Sequence, residues 1–278
     1  MKFAPKKSNR NPNNYFALTL TLNLMRHLLT LVRHEIRILL ISPPVYIASV
    51  LFLILMGFIY WAILREMTLA PQDLSANAQF FSLFWLPVFF LVPLLTMRSI
   101  AAEKSRSTLE SLFSTPVPKF SIILSKYLSV YLLYITLWAF TLYFPIITQS
   151  LLPETISNNS LVDPAGMLGG IIFIALSGLL FIAIGIFTSS LTRSQLVAAM
   201  LCFTLLLIAC IGSQQLEYAT FNYLSPGSFL YGLIEYINIY SHLEDFTLGI
   251  IDTRPFVFYF SSASLFISLA VNNIESKL

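Results

Sequence analysis

Charge is what this chain has least of. Its 278 residues carry 16 bases and 13 acids, so 10% of the chain is charged, against about 25% in a soluble domain. Too few charges remain to cover a water-facing surface, which excludes a soluble enzyme and a disordered protein. Cysteine is nearly absent: Cys202 and Cys210 share one apolar run, where eight helical residues hold them about 12 Å apart, beyond disulfide reach. No GxxxxGK[ST] loop occurs, so the chain has no phosphate-binding loop with which to hydrolyse nucleotide alone. No HExxH motif is present, and His27, His34 and His242 lie outside the apolar runs. No ligand cluster suggests a metal site, and no chain of intramembrane carboxylates suggests proton-coupled transport. What is abundant is apolar: 57% of the residues are hydrophobic, with 24 Phe and 13 Tyr. This composition describes an integral membrane protein.

A spanning helix needs about 20 mostly apolar residues. Six runs qualify: 45–64, 80–97 with kinks expected at Pro87 and Pro93, 127–148 with Pro145 near its end, a Gly-rich 167–188, a short 196–212, and 255–271. The expected fold is therefore all-α, with six transmembrane helices. The segments before the first run, between runs two and three, between four and five, and after six hold 14 of the 16 bases. The alternate segments hold Arg65 and Arg254 and nine of the 13 acids. By the positive-inside rule both termini are expected in the cytoplasm.

Residues 24–40 read as an amphipathic helix: Arg26, Arg33 and Arg37 share one face with Thr30 and both nearby histidines, opposite a face of Leu, Val and Ile. Such a helix lies in the membrane interface. Glu35 falls in the apolar sector, either as a snorkelling carboxylate or as the partner of a base on a neighbouring helix. Lys126 and Arg98 stand near the edges of their runs and are expected to snorkel toward water. The segment 213–254 is long and apolar, and Phe229–Tyr240 within it is too short to cross, so re-entrant or interfacial outer helices are expected there.

Between runs two and three stands R-S-I-A-A-E-K-S-R-S-T-L-E-S-L-F-S-T-P-V-P, residues 98–118. Ser107 and Glu110 have capping-box spacing, and Pro116 stops the helix that they would start. Leu109, Leu112 and Phe113 then form one apolar face on a short cytoplasmic helix, suited either to a cleft on a soluble partner or to packing on its own bundle. Along the third run, Tyr127, Tyr131, Tyr134 and Trp138 recur on one helical face. They form either a stacking path for a sugar or lipid cargo or a packing seam. Gly166, Gly170, Gly178 and Gly185 give the fourth run faces for close helix approach.

The stretch 98–126 resembles the coupling region of ABC-2 type permeases, in which a T-L-E-x-L helix is followed by a Pro-Val turn. The stretches R-H-E-I-R…S-P-P-V-Y (33–46), S-S-L-T-R-S-Q (189–195) and F-T-L-G-I-I-D-T-R (246–254) resemble the gliding-motility-associated subgroup. The resemblance implies a permease domain over residues 24–278, preceded by a disordered, basic and dispensable extension, 1–23. It implies a non-catalytic subunit of an ATP-binding cassette transporter in the bacterial inner membrane. Such a subunit pairs with a second permease copy, identical or not, and with two ATP-binding subunits. No cofactor is expected on this chain; ATP and Mg would be bound by the partner ATPase, and no nucleic acid is involved. Glu103, Arg106, Ser107, Thr108, Leu109, Glu110, Leu112, Phe113 and Pro116 would belong to the first ATPase-coupling element, and Arg193 to a second, smaller one. Two departures from the family pattern are Ser107, where the family often has Gly, and Leu248, where it often has a base. The competing readings are a membrane anchor or force transmitter that uses an ATPase without moving cargo, and a membrane enzyme.

Overall fold

The computed structural model describes residues 12–69, 75–108, 118–151, 163–223, 232, 234 and 236–276. Every regular element among them is helical. In chain order these are α1 Pro12–Ile41, α2 Pro43–Leu69, α3 Ala76–Ser82, α4 Trp85–Thr96, α5 Ala101–Ser105, α6 Lys119–Thr141, α7 Tyr143–Leu151, α8 Pro164–Leu191, α9 Gln195–Tyr223, α10 Ile239–Thr247 and α11 Arg254–Glu275. Six candidate spans emerge: Pro43–Met67, Trp85–Ser105, Lys119–Ser150, Pro164–Leu191, Gln195–Leu216 and Arg254–Glu275. Each overlaps one apolar run of the sequence, and the protein is a multi-pass membrane protein.

Proline sets the breaks. A proline ring clashes with the carbonyl four residues back. Pro87 therefore acts on Leu83, where α3 gives way to α4, and Pro145 acts on Thr141, where α6 ends and α7 begins. Ser42 is the single non-helical residue between α1 and α2, because a residue before proline is pushed out of the helical region. Two boundaries differ from the sequence reading. The helix expected over 24–40 begins at Pro12, taking in residues 12–23 of the expected disordered extension. The helix of the fifth span, expected over 196–212, runs on to Tyr223; polar Gln214 and Gln215 end the apolar run but not the backbone ladder.

α8 occupies the centre. In its most apolar stretch 72% of residues are buried, against 28% for α9 and for α11. Asp163 starts it, its carboxylate accepting from the amides of Ala165 at 3.1 Å and Gly166 at 2.9 Å, with Pro164 at the favoured first position. Glycines let neighbours approach: Gly166 and Gly169 face the backbone carbonyls of Thr247 and Phe246 in α10, and Gly178 faces the Tyr134 ring. A methyl at Gly169 would run into the Phe246 carbonyl. α10 begins at Asn238, whose side chain accepts from the Tyr240 amide at 3.0 Å. It buries Ile239, His242, Leu243 and Phe246. This short helix lies in the segment where outer helices were expected; of Phe229–Tyr240 itself, residues 229–231, 233 and 235 fall outside the described residues.

Candidate functional site

At one end of the bundle the chain turns twice, between α4 and α5 and again after α5. Helix α5 has only five residues, Ala101–Ser105, too few to hold itself by propensity. Tertiary contacts fix it instead. Its first amides would be orphans; those of Ile100 and Ala101 both donate to Ser189 Oγ of α8, each at 3.1 Å. Ser189 Oγ in turn donates to the Met97 carbonyl at 3.3 Å. The Lys104 ammonium donates to the Ser190 carbonyl. The same carbonyl accepts from Asn273 Nδ2 of α11 at 2.7 Å.

The opposite side of α5 carries Glu103. Its Oε1 lies 2.5 Å from Lys126 Nζ in α6, and Glu35 Oε1 of α1 lies 2.8 Å from the same nitrogen. The Lys126 side chain is 4% exposed, Glu35 16% and Glu103 27%. One ammonium thus holds two carboxylates from two other helices. A buried cation is tolerated only when paired and hydrogen-bonded, and this one is doubly so. α1 is fastened to α6 a second time by Ser129 Oγ, which donates to the Val32 carbonyl at 3.2 Å.

These contacts correct one expectation and decide another. Lys126 does not snorkel: it points into the protein, because two carboxylates replace the water it would otherwise seek. Glu35, left between two readings, pairs with a base on a neighbouring helix. Arg33 and Arg37 are exposed on the other face of α1, as is Arg26. Arg98 donates to Ser42 Oγ at 2.7 Å, tying the start of α2 to the end of α4.

After α5 the chain reverses at Ser107, whose φ is 56°. Left-handed backbone is where a helix ends, and an N-cap residue would be extended. Ser107 therefore stands just past the end of α5, and helical backbone resumes at Thr108; Glu110, its partner in the capping-box reading, lies outside the described residues. Thr108 Oγ1 donates to the Glu103 carbonyl at 3.3 Å, completing the end of α5. Arg106 is exposed on this turn. Leu109, Glu110, Leu112, Phe113 and Pro116 lie outside the described residues. Arg193 is exposed just past the end of α8, four residues beyond Ser189. The elements that bear the two expected coupling contacts are therefore joined through Ser189 and Ser190.

The aromatic stripe sits at the α6–α8 seam. Tyr127 Oη donates to the Leu179 carbonyl and Tyr131 Oη to that of Ala175, each at 3.0 Å. Tyr134 and Trp138 are buried against Gly178 and Phe52. Their placement is that of a packing seam. Reading the sequence missed the roles of Lys126, Ser189, Ser190 and Asn273. The doubled serine at 189–190 was visible only as part of a resembling stretch, and nothing local marks a helix-capping hydroxyl supplied from 89 residues away.

An open cavity of about 430 Å³ lies beside this clamp, lined by Glu35, Arg98, Ser99, Glu103, Arg106 and Lys126 together with apolar residues of α1, α2 and α4.

The family described as ABC-2 family transporter protein matches residues 63–240. No curated protein matches the chain. The match spans more than half of the chain, which belongs to this family; its members are in general non-catalytic membrane subunits that work with an ATP-binding cassette ATPase.

Proposed function

We propose that, as a member of the ABC-2 transporter family, this chain is the permease subunit of an exporter driven by a separate ATPase. The observation that carries this reading is the clamped elbow: α5 is tied to α1 and α6 through Lys126 and to α8 through Ser189 and Ser190. Residues 107–115, which follow the elbow directly, form the coupling element that seats in the ATPase, and 191–195 form the smaller second contact. Nucleotide binding closes the ATPase pair and displaces both contacts. Because α5 cannot move without α8 and α6, the displacement reaches the spans as a tilt instead of dissipating in a loop.

Two such permease subunits, identical or paired with a homologue, assemble with two ATP-binding subunits that bind ATP and Mg. Both termini and the elbow face the cytoplasm of a bacterial cell, and the membrane is the inner one. The sidedness of the bases supports that orientation. The stretches 33–46, 189–195 and 246–254 support placement near the gliding-motility-associated permeases. The test is co-purification with an ATP-binding cassette ATPase from the same cell. Leu112→Glu leaves membrane insertion intact and abolishes ATPase recovery. Wild-type recovery of the complex from that variant would falsify the docking role.

A further inference from the structure

We propose that Asn273 is a positioning residue for ATPase docking: from α11 it caps the end of α8, and so fixes the direction of the 191–195 contact without forming it. This role rests on 191–195 docking to the ATPase. The last carbonyls of an α-helix have no partner within it. A common local remedy is a left-handed residue, most often glycine, just past the end. α8 does not use it: Thr192 follows Leu191 in extended backbone, with φ −126° and ψ 161°. The end of α8 is held from outside instead. The Ser190 carbonyl accepts from Asn273 Nδ2 at 2.7 Å and from the Lys104 ammonium. Asn273 Nδ2 also lies 3.1 Å from Ser190 Oγ, which itself donates to the Phe187 carbonyl at 2.7 Å. A cation here also meets the negative pole of the helix. One residue of α8 thus receives donors from two other helices.

What lies beyond that end is short. Only Thr192, Arg193 and Ser194 separate α8 from α9. On the α9 side, Thr192 Oγ1 accepts from the Ser194 amide at 3.1 Å, and the Ser194 carbonyl accepts from the Ala198 amide at 3.0 Å. Arg193 is exposed between these two anchored ends. Its direction therefore depends on where α8 stops, and Asn273 and Lys104 hold that stop. α11 keeps its donor in place because it packs along α8: the rings of Phe187 and Phe266 lie 5.7 Å apart, and those of Phe173 and Tyr259 6.4 Å apart. Lys104, on α5, ties the same carbonyl to the element that precedes the first contact, so the spacing of the two contacts is set at Ser190. A turn already ordered before its partner arrives binds without the cost of ordering it.

The full chain in lipid nanodiscs is titrated with the ATP-binding cassette ATPase that co-purifies with it, and affinity is read by biolayer interferometry. Asn273→Leu keeps the shape of the side chain and removes its donor; the ATPase is expected to bind about fivefold more weakly, the equivalent of one net hydrogen bond. Asn273→Gln, which retains the amide, recovers most of that loss. Ser190→Ala removes the hydroxyl but leaves the carbonyl, and loses about twofold. The decisive measurement is the cycle with Arg193→Ala. Because Asn273 acts through the turn, adding Asn273→Leu to Arg193→Ala weakens binding by less than about twofold more. A general loss of stability, or direct contact of Asn273 with the ATPase, would weaken it about fivefold in both backgrounds and overturn the proposal. So would equal affinity of wild type and Asn273→Leu, or an Arg193→Ala chain that binds as wild type. These outcomes leave ATPase docking itself standing. Recovery of no ATPase with the wild-type chain would overturn docking altogether, and the role of Asn273 with it.

Discussion

Replacing Lys126 with methionine keeps the length and the apolar stem of the side chain and removes its charge. In the wild type, Glu35 and Glu103 each place an oxygen within hydrogen-bond reach of one nitrogen, so without it the two carboxylates face each other. At about 5 Å and an effective dielectric of about 20, two such charges repel by roughly 3 kcal/mol. That repulsion brings the destabilisation to about 3 kcal/mol, the lower end of what losing one partner of a buried ion pair costs. For a chain of this size that is a fall in melting temperature on the order of 10 °C. Fluorescence-detected size-exclusion chromatography after a heat step, in mild detergent, reads it directly. The control is the neutral set Lys126→Met, Glu35→Gln and Glu103→Gln, which removes the repulsion and recovers most of the loss. The reasoning fails if Lys126→Met melts within about 2 °C of wild type, or if the neutral set melts as low as the single variant.

Three further outcomes follow from the same geometry. Ser189→Ala leaves the amides of Ile100 and Ala101 without their acceptor and costs about 1–3 kcal/mol; a melting point equal to that of wild type would show that α5 does not depend on this bond. Ser107→Gly relieves a left-handed backbone at φ 56° and raises stability by roughly 0.5–1 kcal/mol, with Ser107→Val falling by more; a loss of stability in the glycine variant would refute the reading of Ser107 as the end of α5. Burial holds the His242 imidazole below its ordinary value despite Asp245 and Asp252 nearby, so the unfolded chain binds that proton more readily than the folded one. Stability is therefore fully present above about pH 6.5 and declines as the pH falls below it. His242→Gln should flatten the melting-temperature profile in that window, and an unchanged slope would count against it.

The six spans were legible because each is a long apolar run, and the membrane leaves the backbone no alternative to helix within such a run. Pro87 marked a break in advance, since its effect acts at a fixed distance back along the chain, whereas Pro93, expected to kink the same span, lies inside the continuous α4. Ends were less legible. Hydropathy stops at Gly212 while the helix continues to Tyr223, because hydropathy follows the side chains whereas a helix ends where its hydrogen bonds end. The turn at Ser107 was only half legible for a related reason: serine is suited to opening a helix, and helical backbone does resume at Thr108, but the left-handed angle at Ser107 itself shows only in the structure.

The clamp was harder to read, and the reason lies in how far apart its parts are. Periodicity placed Glu35 on the apolar side of its own helix, which says that it faces protein or lipid but not what it meets. Its partner is 91 residues away, and the second carboxylate on that partner lies 23 residues before it. Each residue taken alone has a familiar solution at a membrane edge, which is to bend toward water. The network forms because all three side chains arrive at one point from three helices, where pairing costs less than three separate escapes to the interface. The same convergence leaves the other Glu103 oxygen buried without a hydrogen-bond partner among the described residues, a local cost that the two ion pairs of the clamp offset.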